Sequence, residues 1–284
     1  MKWIAIGLLF FYYTNITSGQ VYSGKLLNSQ NQQPIPYANI GIIGKNIGTT
    51  SDAEGRFSIK IEKVFDKDTL CISSIGYESK KYLIEDLKQK LQNTNSIEIT
   101  LVPKTYSIAE VVVKPLKTKQ FTLGYFCDST SVYGNAFYSK HLGTEIGIRI
   151  KLPSKVKKAD VHSLRFYVGE FTFNSFPVRL NIYNIKNGLP FENILKESIF
   201  IEITNVGEYC IDLSKMNITV EDDFFISLEY YRIADKADGK LIFCAVHPKS
   251  KKQGNGFYRL TSQGKWTPEY NDNIGFSVQI ECDY

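Results

Sequence analysis

Short runs in which apolar and polar residues alternate, broken by turn formers, fill this chain from Val21 onward and leave little room for a helix-based fold. Alternation has a period of two, so successive side chains go to opposite faces of a pleated strand. In residues 145–152, Ile146, Ile148, Ile150 and Leu152 share one face, while Glu145, Arg149 and Lys151 share the other. That is the pattern of a half-buried strand with its polar side in water. Phe57, Ile59 and Ile61 repeat it after Gly55, a residue placed to take a positive φ where the chain reverses. The fold class expected is all-β.

The chain divides into two such regions. Strands are expected over 37–43, 69–75, 78–84 and 96–102, with a brief helical turn over 84–91. Asp52 and Glu54 offer hard oxygen ligands, but two carboxylates do not fill a calcium site of six to eight oxygens. The stretch 114–120, basic and containing Pro115, reads as a linker. Beyond it, strand-like runs recur over 145–152, 163–171, 178–183, 197–203, 207–213, 223–231, 241–246, 256–260 and 274–282. About nine strands without a long helix predict a two-sheet, jelly-roll-like sandwich.

Three ordered segments of the first region carry a family resemblance. They are Pro34-Ile35-Pro36-Tyr37-Ala38-Asn39-Ile40, then Gly48-Thr49-Thr50-Ser51-Asp52 with Glu54, Gly55 and Phe57, then Ser73-Ser74-Ile75-Gly76-Tyr77-Glu78. In order and spacing they resemble the carboxypeptidase-regulatory-like domain, over residues 20–103. The resemblance implies a prealbumin-like sandwich of about seven strands. That family often stands at the N-terminus of TonB-dependent outer-membrane receptors of Gram-negative bacteria, followed by a segment similar to Ile108-Ala109-Glu110-Val111-Val112-Val113. Here too few residues follow for a plug and a membrane barrel, so receptor function does not carry over.

Lys2, the apolar stretch from Trp3 to Tyr13 and the small polar run ending at Gly19 have the layout of a secretory signal. The expected division is a signal peptide over 1–19, the regulatory-like sandwich over 20–103, a linker over 104–120 and a second sandwich of unknown function over 121–284. The apolar stretch is shorter than a membrane-spanning helix, so no transmembrane segment is expected after cleavage. The expected address is the periplasm, the outer membrane's surroundings or the medium. Five cysteines lie scattered with no C-x-x-C pair, which excludes the common zinc and redox spacings. They read as small buried hydrophobes. Export would allow Cys127, Cys210, Cys244 and Cys282 to pair in any of three ways.

Catalytic signatures are sparse. His141 and Glu145 stand one residue too far apart for a zinc carboxypeptidase pair, and no nucleophile elbow, Cys-centred signature or phosphate-cradling loop occurs. No cofactor, no metal and no enzymatic activity are expected, although paired glycosidase carboxylates would meet in space rather than in sequence. A formal charge of +5, spread along the chain, gives no reason to expect nucleic acid as a partner. Two basic clusters, 155–158 and 249–252, read as solvated loops.

One echo suggests a ligand face. Tyr133-Gly134-Asn135-Ala136-Phe137-Tyr138 is repeated as Gln253-Gly254-Asn255-Gly256-Phe257-Tyr258, leading to Trp266 and Tyr270. Flat rings beside amides suit a sugar- or peptide-binding rim, so Tyr133, Asn135, Tyr138, Asn255, Tyr258, Trp266 and Tyr270 are the candidate ligand residues. The function expected is that of an exported, non-enzymatic binding or adhesion protein of the bacterial envelope, recognising glycan or peptide through its second sandwich. The alternative is an accessory protein docking on an outer-membrane transporter or envelope complex. A hydrolase without a sequence-visible site comes third.

Overall fold

The computed structural model describes residues 19–91, 96–106, 118–127, 134–138, 141–235, 239–246, 256–269 and 273–283. Residues 1–18, the segment 108–113 and the basic cluster 249–252 lie outside them.

Seven strands build the first sandwich: β1 (Gln20–Asn28), β2 (Asn39–Ile42), β3 (Gly48–Thr50), β4 (Arg56–Ile61), β5 (Thr69–Ser73), β6 (Lys80–Leu83) and β7 (Ile97–Leu101). Helix α1 (Ile84–Leu91) spans the whole of the expected helical turn. One sheet runs β4-β1-β7 and the other β3-β2-β5-β6, so the expected seven-strand sandwich is what forms. Its core gathers Leu26, Ile35, Ile40, Ile42, Phe57, Ile59, Leu70, Ile72 and Ile99, the apolar half of each alternation. Gly55 adopts φ +74° at the hairpin, as its position required.

The second sandwich has more strands than the sequence announces. One sheet contains β10 (Glu145–Ile150), β12 (Phe176–Lys186), β13 (Leu189–Asn193), β14 (Ile199–Ile203), β17 (Phe224–Tyr230), β19 (Gly256–Arg259) and β20 (Thr267–Glu269). The other contains β8 (Thr118–Gly124), β9 (Gly134–Tyr138), β11 (Ala159–Phe171), β15 (Gly207–Asp212), β16 (Thr219–Val220), β18 (Lys240–Val246), β21 (Asn273–Ile274) and β22 (Phe276–Asp283). The chain crosses repeatedly between the two sheets, as in a jelly roll. Strand β8 begins at Thr118, inside the stretch read as linker, and pairs along β22. The missed strands are short or at sheet edges, where alternation is too brief to register. A disulfide joins Cys127 to Cys244, while Cys71 and Cys282 are buried thiols and Cys210 an exposed one.

Four sheets lie in succession, because the two sandwiches meet face to face. The outward side chains of β2, β3 and β5 turn toward β12, the end of β17 and the loop at Ser262 and Gln263. Every residue of β2 and β17, and residues 176–183 of β12, is buried, one face of each in its own sandwich core. The two outer interfaces are apolar; the middle one combines a buried polar row with the packing of Tyr37 on Phe200 and Tyr231. This corrects the reading of Glu145, which was expected in water; on the same face Arg149 is half-exposed and Lys151 exposed, as expected. Glu145 is wholly buried because the first sandwich covers its end of that face.

Candidate functional site

Strand register alone assembles the centre of the middle interface. Arg179 pairs with Glu229 across β12 and β17, Glu229 with Glu145 across β17 and β10, and Glu145 with Arg259 across β10 and β19. A single row across the sheet therefore reads Arg, Glu, Glu, Arg. Arg179 is 2% exposed, Arg259 7%, and both carboxylates 0%. Charges so placed persist only when paired and hydrogen-bonded.

The bonding meets that demand almost fully. Arg179 donates from Nε (3.1 Å) and Nη2 (2.8 Å) to Oε2 of Glu229. Asn181 Nδ2 splits its two hydrogens between Glu145 Oε1 (2.9 Å) and Glu229 Oε2 (2.8 Å), bridging the carboxylates. Ser227 also donates to Glu145, and Arg259 forms an ion pair with it while its guanidinium lies over the Trp266 ring. Two buried atoms, Glu229 Oε1 and Arg259 Nε, have no partner among the described residues.

The carboxylates are not equivalent. Burial pushes Glu145 upward; Arg259 only partly offsets this, and the neighbouring Glu229 adds to the rise. Burial acts on Glu229 too, but Arg179, Arg259 and Asn181 overcome it and hold its carboxyl below the ordinary range. Of the pair, Glu145 takes a proton first.

The same row fastens the first sandwich. Arg179 Nη1 donates to the Tyr37 carbonyl at 2.6 Å and Nη2 to Asn39 Oδ1 at 2.9 Å. Tyr37 follows Pro36 with φ +55°, a strained conformation for a bulky residue, and that turn aims its carbonyl at the guanidinium. Ser262 Oγ donates to Asn39 Oδ1 (3.1 Å), Gln263 Nε2 to Ser73 Oγ (2.7 Å) and Thr50 Oγ1 to the Tyr231 carbonyl (2.7 Å). Gly41 and Gly48, directly opposite in register, let the Ser262 carbonyl approach so closely that a Cβ on either would lie 2.1 or 2.3 Å from it. Ile75 packs against the core of the second sandwich. All three segments that carry the family resemblance thus contribute to this contact.

Two clefts flank the row. One, of about 790 Å³, lies beside the turn 51–58 and residues 231–233, where Ile233 is exposed. The other, of about 590 Å³, has Arg179, Asn181, Tyr183, Asn193 and Arg259 as its floor. Its walls carry Ser74, Glu78, Ser79, Lys81 and Lys104 from the first region and Phe191 and Glu192 from the edge strand β13. Both volumes suit small ligands. Only the second cleft sits on the buried row, whose hydrogen bonds hold its floor rigid, Asn193 Nδ2 donating to Asn181 Oδ1 at 2.9 Å.

The residues singled out by the aromatic echo are distributed differently. Trp266 is buried against Tyr183 and Phe225 on the outward face of its sheet. Tyr258, by contrast, packs into the sandwich core, on the opposite face. Asn135 and Tyr138 belong to β9, in the other sheet, and Phe137 is a core residue. The structure therefore does not bring Tyr258, Trp266 and the β9 segment to one rim. Tyr133, Asn255 and Tyr270 lie outside the described residues, as do the side chains of Asn135 and Tyr138. The floor residues escaped sequence reasoning because each strand supplies only one or two of them. A usable signal was the largely apolar run of Phe224–Tyr230, a sign of burial on both faces, interrupted by Ser227 and Glu229.

Residues 22–113 match the family described as CarboxypepD_reg-like domain. No curated protein matches the chain. Among solved structures, one titled "Structure of infectious bursal disease virus Gx strain" is similar at 8% identity and a TM-score of 0.26, covering 94% of this chain and 73% of that one. The major pilin subunit of Bacillus cereus is similar at 10% identity and a TM-score of 0.18, covering 89% of this chain and 70% of that one. Likenesses this slight carry no argument about function.

Proposed function

We propose that this is an exported, non-catalytic binding protein of the bacterial envelope, and that it holds a glycan in the cleft of about 590 Å³ between its sandwiches. The observation that carries the reading is the pairing of a rigid polar floor with one open aromatic ring. Phe191 is 52% exposed at the cleft wall, with Lys186 Nζ 4.5 Å from the ring centroid. An exposed ring stacks on the apolar face of a sugar, while Ser74, Ser79, Glu78 and Lys81 supply hydroxyl partners around it. In this reading the first sandwich is half of the binding site and not a spacer.

The disulfide between Cys127 and Cys244 supports an oxidising address. Among the described residues no helix is long and apolar enough to cross a membrane. The non-catalytic reading draws on the state of a buried carboxylate pair: Glu145 and Glu229 lie beneath the cleft floor, ion-paired to arginines. A glycosidase pair must reach the scissile bond.

Affinity electrophoresis of the full chain through gels containing neutral and acidic polysaccharides tests the proposal. Retardation by at least one glycan is expected, weakened about tenfold by Phe191→Ala, a loss of about 1.4 kcal/mol. Circular dichroism would confirm that the variant is folded. Free migration through every gel, or equal retardation of folded Phe191→Ala, would overturn it.

A further inference from the structure

The free polar groups of the cleft are not distributed evenly. Cys71 and Lys81 face each other across β5 and β6, and both line the cleft with Arg259. Arg259 is held from behind: its Nη2 donates to the Tyr183 hydroxyl at 3.3 Å and its charge is paired with Glu145. Its buried Nε has no acceptor among the described residues. Lys81 and Lys104 are exposed on the wall and form no ion pair among the described residues. Burial raises the thiol of Cys71, and Lys81 and Arg259 in part offset that rise.

We infer that the glycan bound here carries a carboxylate, seated between Lys81 and Arg259 over Cys71. The inference rests on the glycan reading of the cleft. A carboxylate on the cleft side of the Arg259 guanidinium would have the Lys81 ammonium on its other side. Glu78 and Glu192 stand on the same walls and balance the two lysines. That balance favours one carboxylate per sugar over a densely sulfated or phosphorylated polymer, which the two acids repel. A hexuronate residue fits: its carboxylate on the cationic pair, its hydroxyls on Ser74 and Ser79, its apolar face on Phe191.

Titration calorimetry of the full chain with trigalacturonate, its methyl ester and a neutral cello-oligosaccharide tests this. The acid is expected to bind about tenfold more tightly than the ester, as one charge-assisted contact implies. Lys81→Glu should erase the preference for the acid over the ester, the ratio of the two affinities falling to one or below; Lys81 is exposed, so the variant should fold. Equal affinities for acid and ester, or binding of the neutral sugar alone, would overturn the carboxylate and leave the glycan reading intact. Binding of none of the three, together with free migration in every polysaccharide gel, would remove both.

Discussion

Glu145 and Glu229 show how two identical side chains on neighbouring strands acquire opposite tendencies. Glu229 touches Arg179 and shares Asn181, so its charge is stabilised; Glu145 is equally buried but must tolerate Glu229 beside it. The consequences for stability have opposite signs. For Glu229, lowered in the folded state, the contribution is present above the ordinary carboxylate value and is lost as pH falls through the folded one. For Glu145, raised above its ordinary 4.5, the folded chain keeps a proton that the unfolded chain has released, so stability declines as pH rises from 4.5 to the raised value. Glu145→Gln keeps the shape and removes this titration. The melting temperature of Glu145→Gln minus that of the wild type should therefore climb as pH rises above 4.5, then level off once the raised value is passed. Parallel melting curves across that range would show that Glu145 does not hold the extra proton.

At the scale of strands, the docking depends on what β2 and β3 lack. Asn39 and Thr50 supply hydrogen bonds, but Gly41 and Gly48 supply absence, opposite each other where the Ser262 loop enters. Gly48→Val would push two methyl groups into the space held by the Ser262 carbonyl. Overpacking of this kind costs about 1–3 kcal/mol, to be read from urea unfolding of the full chain. A loss below about 0.5 kcal/mol would mean that the loop has room to yield. The strands themselves were legible, since alternation in β4, β10 and β12 is a local property of the chain. So was the first sandwich, through its three motif segments. The docking face was not. Glu145 in a regular alternation looks solvated, and only the pairing of β12, β17, β10 and β19, drawn from residues 145–259, brings its partners into one row. Trp266 misled for the opposite reason: an aromatic after a Gly-rich turn looks exposed, whereas this one covers the outward face beside Arg259.

The molecule as a whole is a stack whose middle layer decides whether it behaves as one body or two. Each sandwich has its own apolar core, so each could melt alone, and two-state behaviour is not the default for two such units. Yet Arg179 belongs to both: it neutralises Glu229 in one sandwich and binds the Tyr37 carbonyl and Asn39 in the other. Opening the interface would return Arg179, Asn39 and Ser262 to water but leave Tyr37 in its strained turn without a cation to justify it. Coupling through such a buried charge predicts a single calorimetric transition for the wild-type chain. Arg179→Ala strands Glu229 without its ion-pair partner, a loss of about 3–5 kcal/mol for a buried pair. That loss falls on the second sandwich and on the contact, while the first core is untouched, so the variant should melt in two steps with the later one assigned to the first sandwich. A single transition in Arg179→Ala, merely shifted downward, would mean that the glycine-mediated contact of Ser262 with β2 and β3 couples the two cores without help from the ionic row.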